Sequence, residues 1–193
     1  MYGGHAVDVL VTGVGMVATA AWCSAALVRQ RYDLALNLGV CGSFDPALAP
    51  GCVVHVVADR IAEFGAEDGD AFLTVQDLQF LNDDDFPWSG GQLVNRNPPA
   101  NQALLALPAV NGITVNTVHG RESSIAEVVA RFHPSVESME GAAFMYACLV
   151  AGVRFAQVRA VSNRVERRNR GAWNLVGAIE SLGVAATRIM DHV

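Results

Sequence analysis

The chain has 193 residues, which suits a single domain, 1–193, with a sizeable core. Its residues are 52% hydrophobic and 17% charged, which argues against a disordered chain. The net charge is −6 and all 13 basic residues are Arg, so neither a nucleic-acid partner nor a membrane surface is expected. Four of those Arg gather in "NRVERRNR" (Arg164, Arg167, Arg168 and Arg170), a cluster suited to a small anion or to carboxylates, or to a solvated face. Cys23, Cys41, Cys52 and Cys148 form no CxxC pair and lie in apolar stretches, as reduced core cysteines of a cytoplasmic protein do. The N-terminus lacks a charged segment followed by an apolar run, so no signal peptide is expected. No apolar run is long enough to span a membrane.

In chain order, "AVDVLVT" (6–12) predicts a short buried strand, and a Gly-rich turn then leads into an Ala-rich helix from about Met16 to Arg29. "DLALNLGV" predicts a strand ending in the small-residue turn "GVCGSFDP", and "GCVVHVVADRI" another strand. Residues 62–100, with "NDDDFPWSGG", read as long loops with short edge pieces. "NGITVNTV" predicts a strand and "RESSIAEVVARF" a helix. "SMEGAAFMYACLVAG" predicts a helix stopped by Gly152, and "VRFAQVRAVSN" a strand. A long amphipathic helix closes the chain. The alternation predicts an α/β fold with a mixed, mostly parallel central sheet flanked by helices on both faces. In such sheets ligands bind beyond the carboxyl ends of strands, which singles out "TGVGM", "GVCGSF", "TVHGRE" and "VSNRVE".

Each of these turns holds a candidate contact. Gly13 and Gly15 can turn backbone amides toward an anion or a sugar hydroxyl, or can simply make a tight turn. His119 offers an acid/base group, a hydroxyl contact or a structural ring. Glu137 and Glu140 flank a helix start, where carboxylates suit the dipole and Ser138 can cap; Glu140, followed by "GAAF", can also accept two hydrogen bonds from a cis-diol. Arg159 lies inside an apolar strand and needs a buried partner, Glu137 or Glu140. Ser162 and Asn163 end that strand, and the Asn163 amide brings one donor group and one acceptor to the crevice. The five His are far apart with no HxH or HExxH spacing, so no metal site is expected, and no GxSxG elbow is present.

Taken together, "TGVGMVATA", "LNLGVCGSFDPALAPGCVVHV", "SMEGAAF" and "VRAVSN" resemble the nucleoside phosphorylase and nucleosidase superfamily over most of the chain. "AEDGD", "VNTVHG", "VESMEGAAF" and "VSNRVERRNRGAWN" are most similar to its futalosine hydrolase family, which acts in the alternative menaquinone route and removes hypoxanthine from futalosine. The resemblance implies that Glu140 binds the ribose hydroxyls and Met139 packs under the sugar. Val40, Cys41 and Gly42 would line the floor, Val118 and His119 would sit beside the base, and Gly15 and Ser162 would complete the pocket. Asn163 would face purine N7 and O6, where adenosine-type relatives carry Asp, a pattern that fits hypoxanthine as leaving group. It implies further a homo-oligomer and no cofactor, with the region 62–100 (Phe80, Phe86, Trp88) as a contact for the neighbouring copy. The family opens with an additional strand bearing a water-activating acid, and this chain begins later, so weak or absent hydrolase activity is the expectation. Two other readings are a purine nucleoside phosphorylase acting on 6-oxopurine nucleosides and a non-catalytic relative that binds purines or only oligomerises. Phosphate binding is poorly supplied, because the first two turns contain no Arg.

Overall fold

A computed structural model describes residues 1–192. Its elements are α1 (Met16–Arg29), β1 (Ala35–Ser43), β2 (Val53–Asp59), β3 (Gly65–Asp68), β4 (Ala71–Thr74), β5 (Leu93–Val94), α2 (Gln102–Leu105), β6 (Ala109–Thr114), α3 (Glu122–Phe132), β7 (Val136–Ser138), α4 (Gly141–Ala151), β8 (Phe155–Arg164) and α5 (Leu175–Met190), with a 3₁₀ turn at Arg170–Ala172. Six strands form one mixed sheet in the order β5–β2–β6–β7–β1–β8, and β2 also pairs with β8. The longest ladder is parallel, β1 against β8 from Ala35↔Phe155 to Ser43↔Arg164. β2–β6 and β6–β7 are parallel as well, whereas β7 meets β1 antiparallel. This is the mixed, mostly parallel sheet that the alternating pattern predicts.

The pleat of β8 distributes the helices. Ala156 and Val158 pack with Leu104 of α2 and Ile189 of α5 on one face. Phe155, on the other pleat, joins Cys23 of α1 and Ala142, Phe144, Met145, Ala147 and Cys148 of α4. α3 covers Ile113 and Val115 through Val128. Between the sheet's own strands a further cluster gathers Cys41, Leu48, Val54, Val56, Val136 and Val161. α4 is apolar nearly all round, which is what a helix packed on several sides requires, and it stops at Gly152 in the left-handed conformation (φ 66°).

Four local readings are corrected. Residues 6–12 form no strand: they are extended but unpaired, Val9 and Val11 are 87% and 84% exposed, and Asp8 accepts hydrogen bonds from Gln30 Nε2 (2.8 Å) and Tyr32 Oη (2.9 Å) instead. β-branched composition suits a pleated surface but does not supply the partner strand a ladder needs. "GVCGSF" is no turn as far as Ser43, since β1 runs through it with β7 and β8 on either side. "SMEGAAF" begins one element earlier than its apolar run suggests: Ser138 ends β7 and the helix starts at Gly141. β6 stops at Thr114, leaving Asn116–Val118 as loop. Within 62–100, the β3–β4 hairpin and β5 are the expected short pieces. Trp88, however, is 9% exposed and stacks on Phe64, while Phe80 and Phe86 stay exposed.

Candidate active site

The turn from β7 into α4 positions Glu140. Ser138 Oγ accepts from Gly141 N (3.2 Å), so the capping role falls to the serine and leaves the Glu140 carboxylate free to reach elsewhere. Its Oε1 accepts from Gly15 N (3.1 Å) and its Oε2 from Arg159 Nη1 (3.2 Å). Gly15 sits at the head of α1 with φ 95°, a conformation that lets its amide turn to the carboxylate. Three motifs far apart in sequence therefore meet at one side chain: "TGVGM", "SMEGAAF" and "VRAVSN". Of the two candidate partners for Arg159, Glu140 is the one it holds. Arg159 is 2% exposed, and its Nε and Nη2 have no partner among the described residues. It lies across Gly39, its register neighbour on β1, where any side chain would collide with the guanidinium.

Under the first turn of α4 lies a group that the sequence reading passed over. Asp59, at the end of β2, is fully buried and accepts from Thr114 Oγ1 (2.9 Å) and Gln157 Nε2 (3.0 Å). Thr114 Oγ1 in turn accepts from Ala142 N (2.7 Å), and a methyl on Gly141 would run into Asp59 Oδ2. Burial pushes the Asp59 carboxyl up to about 6, against the opposing pull of those two hydrogen bonds and of Arg159. Ending an apolar strand was the only mark Asp59 carried in the sequence.

The second constellation is a row across three strands. Gly42 is the register partner of Glu137 on β7 and of Asn163 on β8, so the side chains at these positions share a face. Alternation alone would have turned Asn163 to the face of Val161. A bulge prevents this, because Cys41 pairs with Val161 and Gly42 with Asn163, leaving Ser162 as the extra residue. Ser162 Oγ has a single proton and two acceptors in reach, Cys41 O (3.1 Å) and Asn163 Oδ1 (2.8 Å), while Asn163 Nδ2 donates to Arg164 O (2.8 Å). A methyl on Gly42 would lie 3.4 Å from Asn163 Nδ2, 3.5 Å from Glu137 Cγ and 2.8 Å from Val165 Cγ2. Glu137 is buried and binds His119 twice: Oε1 accepts from its backbone N (3.1 Å) and Oε2 lies 2.7 Å from Nδ1. The sequence named His119 and Glu137 separately and gave no sign that they pair.

The remaining expected residues are placed less directly. Val40 and Met139 are half-buried beside Cys41 and Glu140, and Val118 is 37% exposed ahead of His119. Cys41 turns its thiol into the core, where burial pushes it up to about 12, so it reaches the site through its backbone carbonyl. The Arg cluster leaves the sheet end as exposed chain. Arg164 Nη2 donates to Pro46 O (3.2 Å), Arg168 lies over the Trp173 ring, and Arg167 lines a groove of ≈ 630 Å³ against Glu122, Ile125 and Val129 of α3.

A half-buried carboxylate at a helix head, a glycine amide turned toward it and an amide side chain at a neighbouring strand end can together hold a sugar and a base. The model of the phosphorylase superfamily matches residues 1–193, and the chain belongs to that superfamily. Within it the chain falls with the futalosine hydrolases. It is 38% identical to the futalosine hydrolase of Acidothermus cellulolyticus over 182 residues, covering 91% of this chain and 71% of that one. It is 34% identical to the futalosine hydrolase of Streptomyces coelicolor over 194 residues, covering 94% and 77%. The native structure of futalosine hydrolase from Helicobacter pylori superposes with a TM-score of 0.75 over 94% of this chain and 78% of that one; at 14% identity this shows a common fold.

Proposed function

We propose that this chain is an N-ribosyl hydrolase that cleaves futalosine and releases hypoxanthine, a step of menaquinone biosynthesis by the futalosine route. Its family membership supports the reaction class and the substrate. The observation that carries the choice of base is Asn163 at the carboxyl end of β8, turned by the Ser162 bulge onto the face of Gly42. Cleavage of the glycosidic bond builds positive charge on the sugar and negative charge on the purine. Glu140 has acceptor capacity beyond Gly15 N and Arg159, enough for the two ribose hydroxyls, and its charge faces the cationic sugar. Met139 packs under the ribose, and Val40 and Gly42 form the floor beside Val118. The Asn163 amide donates to O6 and accepts from a protonated N7, a pattern that a 6-aminopurine does not match.

The aromatic end of futalosine would lie against the apolar wall of the groove formed by Ile125, Val129 and Val165, with its carboxylate toward Arg167 and away from Glu122 and Glu166. Residues 1–193 act as one nucleosidase-like unit on a small-molecule nucleoside. The unit works in the cytoplasm as a homo-oligomer, with Phe80 and Phe86 (77% and 74% exposed) available for the contact. Among the described residues no helix is long and apolar enough to cross a membrane.

The test is chromatographic detection of hypoxanthine from futalosine with and without phosphate. Release independent of phosphate is expected; a requirement for phosphate, or no release, overturns the proposal. Asn163→Asp is expected to move the preference from hypoxanthine toward adenine as leaving group by at least about tenfold. An unchanged preference overturns the role given to Asn163.

A further inference from the structure

The purine leaves with the electron pair of the broken bond, so it departs readily only if N7 is protonated. Asn163 can hold a protonated N7 but has no acidic proton to give. We propose that His119, seated on Glu137, is the general acid that supplies this proton; the proposal rests on the hydrolase reading above.

Three observations carry it. First, the imidazole is fixed at both ends of its residue, because Glu137 accepts from the His119 backbone N (3.1 Å) and from Nδ1–H (2.7 Å). A carboxylate only accepts, so Nδ1 carries hydrogen and Nε2 is the nitrogen left to face a ligand. Nε2 makes no hydrogen bond within the described residues and is not sealed from solvent. Second, burial is divided as an acid and its anchor require: the Glu137 side chain is 4% exposed and the His119 side chain 14%, with the edge of Phe44 packed against the ring at 6.3 Å between centroids. A carboxylate on Nδ1 stabilises the imidazolium that donates from Nε2. Third, Glu137 and Asn163 flank Gly42 on one face of the sheet, so the dyad and the amide address the same ligand edge from neighbouring strands. Among the described residues this is the one His–carboxylate pair; the other ion pair, Arg159–Glu140, belongs to the sugar side.

The step balances. The C1′–N9 bond breaks and its electron pair stays on the purine, N7 takes the proton from Nε2, and neutral hypoxanthine leaves. Water adds to C1′ and loses a proton to solvent, from which His119 is reprotonated.

The experiment compares wild type, His119→Ala and Glu137→Gln on futalosine, with circular dichroism to confirm folding. His119→Ala is expected to lose about 10²-fold or more in kcat. Added imidazole, which can enter the vacated space, is expected to restore at least tenfold of that loss while leaving wild type unchanged. A purely structural histidine would give no such rescue. Loss without rescue, or no loss, overturns the acid assignment. Should His119→Ala fail to fold, Glu137→Gln decides: at least a tenfold loss in kcat supports the dyad, and wild-type kcat overturns it. A wild-type chain that releases no hypoxanthine overturns the hydrolase reading itself, which the variants do not address.

Discussion

Replacing Asp59 by Asn tests whether the group beneath α4 is a charge held in the core at a cost. The carboxyl is raised from 3.8 to about 6 by burial. A raised carboxylate means that the folded state binds the proton more tightly than the unfolded chain. The stability it contributes is therefore full below about 3.8 and is lost as pH rises through about 6. At 1.36 kcal/mol per pKa unit, the loss by neutral pH is roughly 3 kcal/mol.

Asparagine can keep both contacts. Thr114 can donate to its oxygen, and Gln157, whose Oε1 has no partner among the described residues, can turn that atom to the new amide. Allowing about 1 kcal/mol for imperfect geometry, Asp59→Asn should be about 2 kcal/mol more stable than wild type at neutral pH and about 0.5 kcal/mol less stable near pH 4. Urea unfolding followed by tryptophan fluorescence at both pH values measures this. The difference between the two proteins is what counts, because other groups titrate too, among them buried His55, which burial lowers. A variant less stable than wild type at neutral pH, or a difference independent of pH, would refute the reasoning.

Two further outcomes follow from packing. Gly141→Ala drives a methyl into Asp59 Oδ2 and Gln157 Nε2 and should cost about 1–3 kcal/mol, read as a lowered Tm; an unchanged Tm would mean that the α4–β2 approach is looser than described. Burial pushes Cys41 and Cys148 up to about 12, so iodoacetamide should leave both unmodified in the native protein and should reach half-buried Cys52 first. Peptide mass spectrometry that finds Cys41 alkylated as fast as Cys52 would contradict the placement of that thiol in the core.

What could be read in the sequence follows from the range of the interactions involved. The helix from Met16 to Arg29, the stop at Gly152 and the alternation of strands and helices are local patterns, and they appear where periodicity and composition put them. The strand expected at residues 6–12 fails because pairing is not local: nothing in those seven residues says whether a neighbour is there. Glu140, Arg159 and Asn163 could be singled out because each is polar in an apolar setting. That Arg159 takes Glu140 rather than Glu137 needs the register of β1, β7 and β8. The His119–Glu137 pair and the Asp59–Thr114–Gln157 network join residues 18 to 98 positions apart, a separation that a single sequence does not encode visibly.

The Ser162 bulge makes the site a matter of parity. Were Ser162 to pair with Gly42 in an unbroken ladder, every side chain after it would change faces, taking the amide of Asn163 away from Gly42. Regular pairing and chemistry thus pull in opposite directions at this one position. Removing Ser162 altogether would restore the ladder and still leave Asn163 opposite Gly42, so the two ways of losing the bulge should part company: a strand that keeps Ser162 but pairs it loses the amide from the site, and a strand that lacks Ser162 keeps it there.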